Sequence, residues 1–373
     1  MKKVAIVPLT YKSYNYGGTL QYYALQTAIN SLGFESKVLD IDDYGNKIFR
    51  NTKNNKKNIK LFDKIIHKII WEYCEFMSKK NITSFECRNR KFDEFREKFI
   101  DSFHPESLDD LADSFNAFVV GSDQIWNPQW AKSTHFLDFA KNQLKIVYGA
   151  SIGKKSLSEE QKIRYGELLL GFDAISGREK DVAQQLQPFC SNKIETVMDP
   201  VFLLNQQEWI NLIEKDRGKD KEYIFCYLIG DDIKYRKELN KIKKDMKKNL
   251  ISIPYISQKY ICFENYADEM RYNAGPLEFL KLILDSEYII TDSFHATAFS
   301  ILFHKRFSVL NREPQNSQML SRIITLLDYF DLGDHLVDSV NDISIEQPNW
   351  KEIDLKIEKL TNKSMLFLKN SLK

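Results

Sequence analysis

Glycine and proline are both scarce, 14 and 9 of 373 residues, which excludes a collagen-like, linker-rich or low-complexity chain. No apolar run approaches the roughly 18 residues that would span a bilayer. The apolar start Val4–Val7, behind Met1-Lys2-Lys3, is far shorter than a secretory core and yields to the polar stretch Thr10–Asn15. A cytoplasmic protein is therefore expected. The five cysteines (Cys74, Cys87, Cys190, Cys226, Cys262) are odd in number and lack CxxC spacing, which argues against a disulfide framework or a metal site. Cys226, inside the apolar run Tyr223–Ile229, reads as a small core residue. Neither sign of charge dominates: 54 basic and 52 acidic residues leave a net +2, and no nucleic-acid partner is expected. What is present, 43% hydrophobic and 28% charged residues, is an ordinary globular balance on a chain long enough for two cores.

Hydrophobic periodicity then gives alternating elements. Val4–Pro8 reads as a buried strand, Thr19–Leu32 as a helix closed by Gly33, and Lys37–Ile41 as the next strand. Ala117–Val120, Lys145–Tyr148, Asp173–Ser176 and Glu195–Val197 read as further strands, with helix Glu179–Leu186 between the last two. A second series follows: strands Tyr223–Ile229, Leu250–Ile253, Tyr288–Thr291 and Arg306–Leu310, and helices Ile233–Asn249, Pro276–Leu284 and Phe294–Phe303. Such alternation predicts an α/β protein of two Rossmann-like domains, with parallel sheets facing across a cleft. The expected domains are 1–200 and 201–345, and an amphipathic helix at 350–373 is expected to pack back on the first.

Four strand-to-helix junctions carry polar groups where ligands of open α/β sheets bind. In Thr10–Gly18, Gly17 and Gly18 permit close approach at a helix N-terminus, beside Asn15 and Tyr16; a plain glycine-tightened turn is the other reading. In Gly121-Ser122-Asp123-Gln124-Ile125-Trp126-Asn127-Pro128, Asp123, Gln124 and Asn127 offer groups for sugar hydroxyls and Trp126 a face for a pyranose. The alternative there is an Asp-capped turn with Trp126 in the core. Arg178, in Ser176-Gly177-Arg178-Glu179, either forks onto a carboxylate or phosphate or pairs with its neighbouring Glu179 at the surface. In Thr291–Thr297, Ser293 and Thr297 bring hydroxyls, and His295 sits in a first helical turn suited to an anion or to proton transfer. His67 lies on an amphipathic helix, whereas His104, His135, His304 and His335 lie in polar or loop-like stretches.

The ordered set NYGGTLQYYALQ, GSDQIWNP, SGRE, MDPVFLL and TDSFHATAFSILFHKRF resembles the polysaccharide pyruvyl transferase family over residues 4 to 310, more weakly across 46–110 and in the tail. Ala296 stands where that family often has glycine. The resemblance implies a GT-B-like fold, a donor bound mainly by the second domain, and no metal or cofactor. It places donor recognition on Arg178 and His295, with Ser293 and Thr297 beside them, and the acceptor near Asp123, Gln124, Trp126, Asn127 and the loop Asn15, Tyr16, Gly17 and Gly18. Phosphoenolpyruvate would be the donor, and a sugar or lipid-linked oligosaccharide the acceptor. Ketal chemistry needs an acid at the methylene carbon and a base at the hydroxyl. His295 and Asp123 fill those roles, in that order or exchanged.

The basic stretch Lys47, Arg50, Lys53, Lys56, Lys57, Lys60, Lys64 and Lys68 faces only Asp63 in sequence. A mobile loop is expected at 46–58. The segment 47–68 would reach an anionic membrane at its inner face, or else be a solvated loop beside a core-packed helix. Two competing functions stand: a nucleotide-sugar-dependent GT-B glycosyltransferase, for which Glu313 would be the ribose carboxylate, and a non-catalytic sugar-binding protein.

Overall fold

The computed structural model describes residues 2–49, 82–213, 222–230, 233–254, 266–311, 320–343 and 346–373. The loop expected at 46–58, most of the basic segment 47–68 and Glu313 thus fall largely or wholly outside the described residues. Two compact units make up the chain: Met1–Arg50 with Phe95–Glu208 and Asn349–Lys373, and Asn51–Glu94 with Trp209–Pro348.

In the first unit, β1 (Lys3–Val7) leads through α1 (Tyr16–Ser31) to β2 (Glu35–Leu39). Helix α2 (Ile82–Phe99), which belongs to this unit from Phe95 on, precedes β3 (Ser102–Phe103), and β4 (Ala117–Val120), β5 (Leu144–Ala150) and β6 (Ala174–Gly177) follow. Helix α3 (Lys180–Leu186) connects β6 to β7 (Ile194–Thr196). The seven strands lie in the order β3-β2-β1-β4-β5-β6-β7, every neighbouring pair parallel. Because Val4–Val7 and Val119–Val120 are covered on both faces, these central strands read as unbroken apolar runs. Helix α1 begins where the Asn15 side chain accepts from Gly18 N, and it buries Leu20, Ala24, Leu25, Ala28 and Ile29 on the sheet.

The second unit repeats the plan. Strand β8 (Tyr223–Tyr227), α4 (Ile233–Met246), β9 (Asn249–Ser252) and β10 (Glu269–Met270) are followed by α5 (Pro276–Asp285) and β11 (Tyr288–Thr291). Then come α6 (Phe294–Leu302), β12 (Arg306–Leu310) and β13 (Leu336–Val337). The order is β10-β9-β8-β11-β12-β13, again all parallel. Trp209, Phe279 and Phe299 interlock edge to face in its core, with centroids 5.0 Å and 6.3 Å apart. The terminal helix α7 (Trp350–Ser371) belongs to the first unit, where Met198 N donates to Ser364 Oγ at 2.9 Å and Thr361 Oγ1 to the Phe202 carbonyl at 2.8 Å.

In each sheet the chain first moves from the starting strand to one side and then returns to the other. This puts a topological switch point between β1 and β4 and another between β8 and β11, and at such points the loops diverge and leave a crevice.

Candidate active site

The first switch point holds an open pocket with a cavity volume of about 80 Å³. Pro8, Leu9 and Thr10 come from the end of β1, Ser13, Asn15, Gly18, Gln21 and Tyr22 from the loop and first turns of α1, and Gly121, Ser122 and Asp123 from the end of β4. A Cβ at Gly18 would approach only the Asn15 side chain, at 3.8 Å, so glycine here leaves room in the pocket rather than relieving a clash. Asp123 has a left-handed backbone, φ 56°, and its carbonyl accepts from Ser151 N at 2.8 Å. Ser122 Oγ donates to the Gly149 carbonyl at 2.6 Å. Both bonds tie the loop to β5 and the residue after it, and Asp123 lines the pocket.

Behind Asp123 lies Arg178, just past the end of β6 and only 3% exposed. Its Nε donates to Glu179 Oε1 at 2.8 Å, one terminal nitrogen to Asp199 Oδ2 at 2.6 Å, and the other stands 3.9 Å from Asp123 Oδ1. Gln21 Nε2 donates to the same Asp199 oxygen, and Asp199 Oδ1 accepts from Val201 N at 3.1 Å. Burial opposes the guanidinium charge, but Glu179, Asp199 and Asp123 outweigh it and hold the group charged. This corrects one expectation. The Arg–Glu pair exists but is buried rather than at the surface, and two of the guanidinium nitrogens are taken up by Glu179 and Asp199 while the third stands towards Asp123. Asp199 and Gln21, which complete the network, lie within the motifs MDPVFLL and NYGGTLQYYALQ, but nothing local in the sequence marks a pairing across 21 residues or more.

Other acceptor residues also need correction. Trp126 is fully buried, stacked on Phe136 with centroids 6.4 Å apart, and its carbonyl accepts from Tyr165 Oη. Its face is therefore covered by protein and closed to a sugar. Tyr16 is likewise buried within α1, together with Gly17. Asn127 Nδ2 donates to Gln124 Oε1 at 2.8 Å, and Asn127 Oδ1 accepts from Gln129 N at 3.0 Å, so these amides build the turn that carries Asp123. Of the expected acceptor residues, Asn15, Gly18 and Asp123 meet in the pocket.

His135, expected in a polar stretch, is instead buried beneath the site. Its ring accepts from Lys132 N at 3.2 Å and hydrogen-bonds the backbone of Leu9 and Ile125, one from each pocket loop. Burial, with Lys132 nearby, pushes the imidazole down to about 4 from 6.5. The unfolded chain therefore binds the proton first. The stability this contributes is whole above about pH 6.5 and is lost as pH falls towards 4. Urea unfolding at pH 7 and pH 4.5 should show the natural protein losing roughly 2–3 kcal/mol more than His135→Gln over this interval. Equal losses would remove His135 as the cause.

The second switch point is built in the same way. Asp292, at the end of β11, accepts from Ile229 N and Gly230 N at 2.7 Å each, and so fixes the turn after β8. Ser293 caps α6 by accepting from Ala296 N, and His295 lies in that helix's first turn, largely buried. Thr297 is fully buried and its hydroxyl donates to the Ser293 carbonyl at 2.9 Å, so it stabilises the helix start and is not a ligand group. Among the described residues, no group of three or more His, Cys, Asp or Glu is arranged to hold a metal ion, and no helix is long and apolar enough to cross a membrane.

Two parallel α/β sheets, each with its polar groups at a switch point, define the fold class of GT-B enzymes. The chain belongs to the polysaccharide pyruvyl transferase family, whose model matches residues 15–314, and the family is one of transferases acting on polysaccharide. No curated protein matches the chain. Among solved structures, the chain is similar to a protein named as a UDP-N-acetylglucosamine 2-epimerase from Listeria monocytogenes (TM-score 0.52, 11% identity, 92% of each chain covered). It is also similar to a UDP-N-acetylglucosamine 2-epimerase from Rickettsia bellii (TM-score 0.48, 10% identity, 98% of this chain and 96% of that one). An E. coli heptosyltransferase follows at TM-score 0.40 and 10% identity, with 96% and 99% covered. The first of these shows the fold and, at that identity, the fold alone.

Proposed function

We propose that the protein transfers a pyruvyl group from phosphoenolpyruvate to hydroxyls of a sugar in a bacterial-type surface polysaccharide or its lipid-linked precursor, forming a pyruvate ketal and releasing phosphate. The observation that carries this reading is Asp123, a carboxylate held beside a buried arginine in a pocket of the first unit, within a chain of this family. A hydroxyl nucleophile needs a base at such a place. In the proposed sequence, His295 delivers a proton to the methylene carbon of the donor, which becomes a methyl group and leaves an oxocarbenium-like centre. A sugar hydroxyl attacks that carbon and Asp123 takes its proton. Phosphate departs, and a second hydroxyl closes the ring and gives its proton to the departing phosphate. Ser293, His295 and the N-terminus of α6 are proposed to receive the donor's anionic groups, since helix starts favour anions. The donor carries its own leaving group, so the reaction as proposed calls for no further cofactor. The protein would work at the cytoplasmic face of a membrane, where a lipid-linked acceptor is presented.

Melting temperatures with phosphoenolpyruvate, pyruvate, UDP and GDP test the donor. At about 100-fold over its dissociation constant a ligand adds about 2.7 kcal/mol, enough for a clear shift. Phosphoenolpyruvate alone should stabilise the natural protein, and His295→Asn should lose the effect. Stabilisation by UDP or GDP instead would replace this reading with a nucleotide-sugar-dependent glycosyltransferase.

A further inference from the structure

The loop between β1 and α1 is held from several sides. Tyr11 N and Lys12 N each donate to the Asp42 carboxylate at 2.7 Å, and Lys12 Nζ pairs with Asp40 at 3.0 Å. From below, Arg96 of α2, itself buried, donates to the Ser13 carbonyl at 3.1 Å. Its guanidinium lies 5.8 Å from the centre of the Tyr11 ring and 5.4 Å from that of Tyr14. Tyr11 in turn stacks on Tyr22 at 5.8 Å. Tyr11, Tyr16 and Tyr22 are all inside, at 9%, 1% and 3% exposure, whereas Tyr14 stays 39% exposed. Its chain neighbours Ser13 and Asn15 both line the pocket that Asp123 lines from the other side.

The other tyrosines give this loop its buried apolar anchoring, and Tyr14 is the one that keeps part of its ring at the surface. The ring is large, has few rotatable bonds, and stands over a cation that holds it in orientation. Such a ring suits the C–H face of a pyranose, which stacks on aromatic faces while its hydroxyls reach polar groups such as Asn15 and Asp123. We infer that Tyr14, exposed between two residues that line the first unit's pocket, is the stacking platform of a sugar subsite at the rim of that pocket, with Arg96 as the residue that positions it. The inference rests on the reading of this pocket as the acceptor site. It supplies from Tyr14 the aromatic contact that buried Trp126 does not make.

Saturation-transfer NMR with methyl glycosides of glucose, galactose, mannose and N-acetylglucosamine tests the inference without any donor. The natural protein should saturate the ring protons of one face of at least one glycoside. In Tyr14→Ala that binding should weaken about five-fold or more, while Tyr14→Phe and Tyr14→Trp keep it. Arg96→Met should lose signal with Tyr14 in place, and Arg96→Lys, which keeps a cation under the ring, should recover part of it. No saturation by the natural protein, or equal binding by Tyr14→Ala, overturns the platform; an unchanged Arg96→Met removes the positioning role. Glycoside binding that depends on Tyr14, without stabilisation by phosphoenolpyruvate, would keep the subsite and discard pyruvyl transfer.

Discussion

Arg178→Met is expected to destabilise the first unit by about 3–5 kcal/mol and to abolish transfer. The side chain is 3% exposed and lies against Glu179, Asp199 and Asp123. Methionine fills much of the volume but leaves buried carboxylates without their cation, and an uncompensated buried charge costs more than the pair gains by forming. Arg178→Lys should fall between, because a single ammonium cannot donate in a fork to Glu179 and Asp199 together. Removing a carboxylate as well should return part of the loss. Arg178→Met with Asp199→Asn should be more stable than the sum of the single variants by about 1–3 kcal/mol, the range for groups in one network. Urea unfolding followed by circular dichroism reads all three. A loss under about 1 kcal/mol in Arg178→Met would show that the guanidinium is not what balances these carboxylates.

The same residue shows how far the sequence could be read. The strands were legible because parallel strands covered on both faces are short, β-branched and apolar; Ala117–Val120, Tyr288–Thr291 and Arg306–Leu310 were placed to the residue. The strand-to-helix junctions were legible for the same reason, and with them Asp123, Arg178, Ser293 and His295. What these side chains touch was not. The sequence around Arg178 offers a fork for a ligand or a pair with Glu179 next to it, but not its second carboxylate, Asp199 after β7, nor its third, Asp123 after β4. Only the strand order brings those three strand ends together.

Trp126 failed for a different reason. An aromatic beside Asp and Asn has the composition of a sugar site and equally that of a turn whose tryptophan anchors it to the core. Burial against Phe136 and Tyr165 decides it, and neither ring is near in sequence. Helix α2 is hard to read because it is rich in charge, with Phe85, Phe92, Phe95 and Phe99 spaced along one side; Phe92 and Phe95 are the aromatic residues it buries. That spacing was there to be read. His135 was passed over since a neutral buried histidine and an exposed loop histidine have the same local sequence.

Gly121→Ala should cost more than 4 kcal/mol, or leave no soluble protein, although it adds one methyl group. Gly121 follows β4 directly, with φ 138°, a conformation that side-chain-bearing L residues rarely adopt. A Cβ there would lie 2.0 Å from the Tyr148 carbonyl oxygen and 3.0 Å from its carbonyl carbon. Both atoms are backbone of β5, paired with β4 through Val120 and Val147, so no side chain can swing aside. Relief requires β4 and β5 to part or the turn to change its path, and either moves Asp123 two residues on. Gly171→Ala is the matched control: φ is 89°, but nothing lies within 4 Å of the added carbon. It should therefore show backbone strain alone, about 1–2 kcal/mol. The gap between the two variants, read as the difference in urea midpoint, measures the close approach of two strand backbones. If Gly121→Ala unfolded together with Gly171→Ala and retained transfer, the turn bearing Asp123 would be pliable, and its carboxylate would not be held in place for a base.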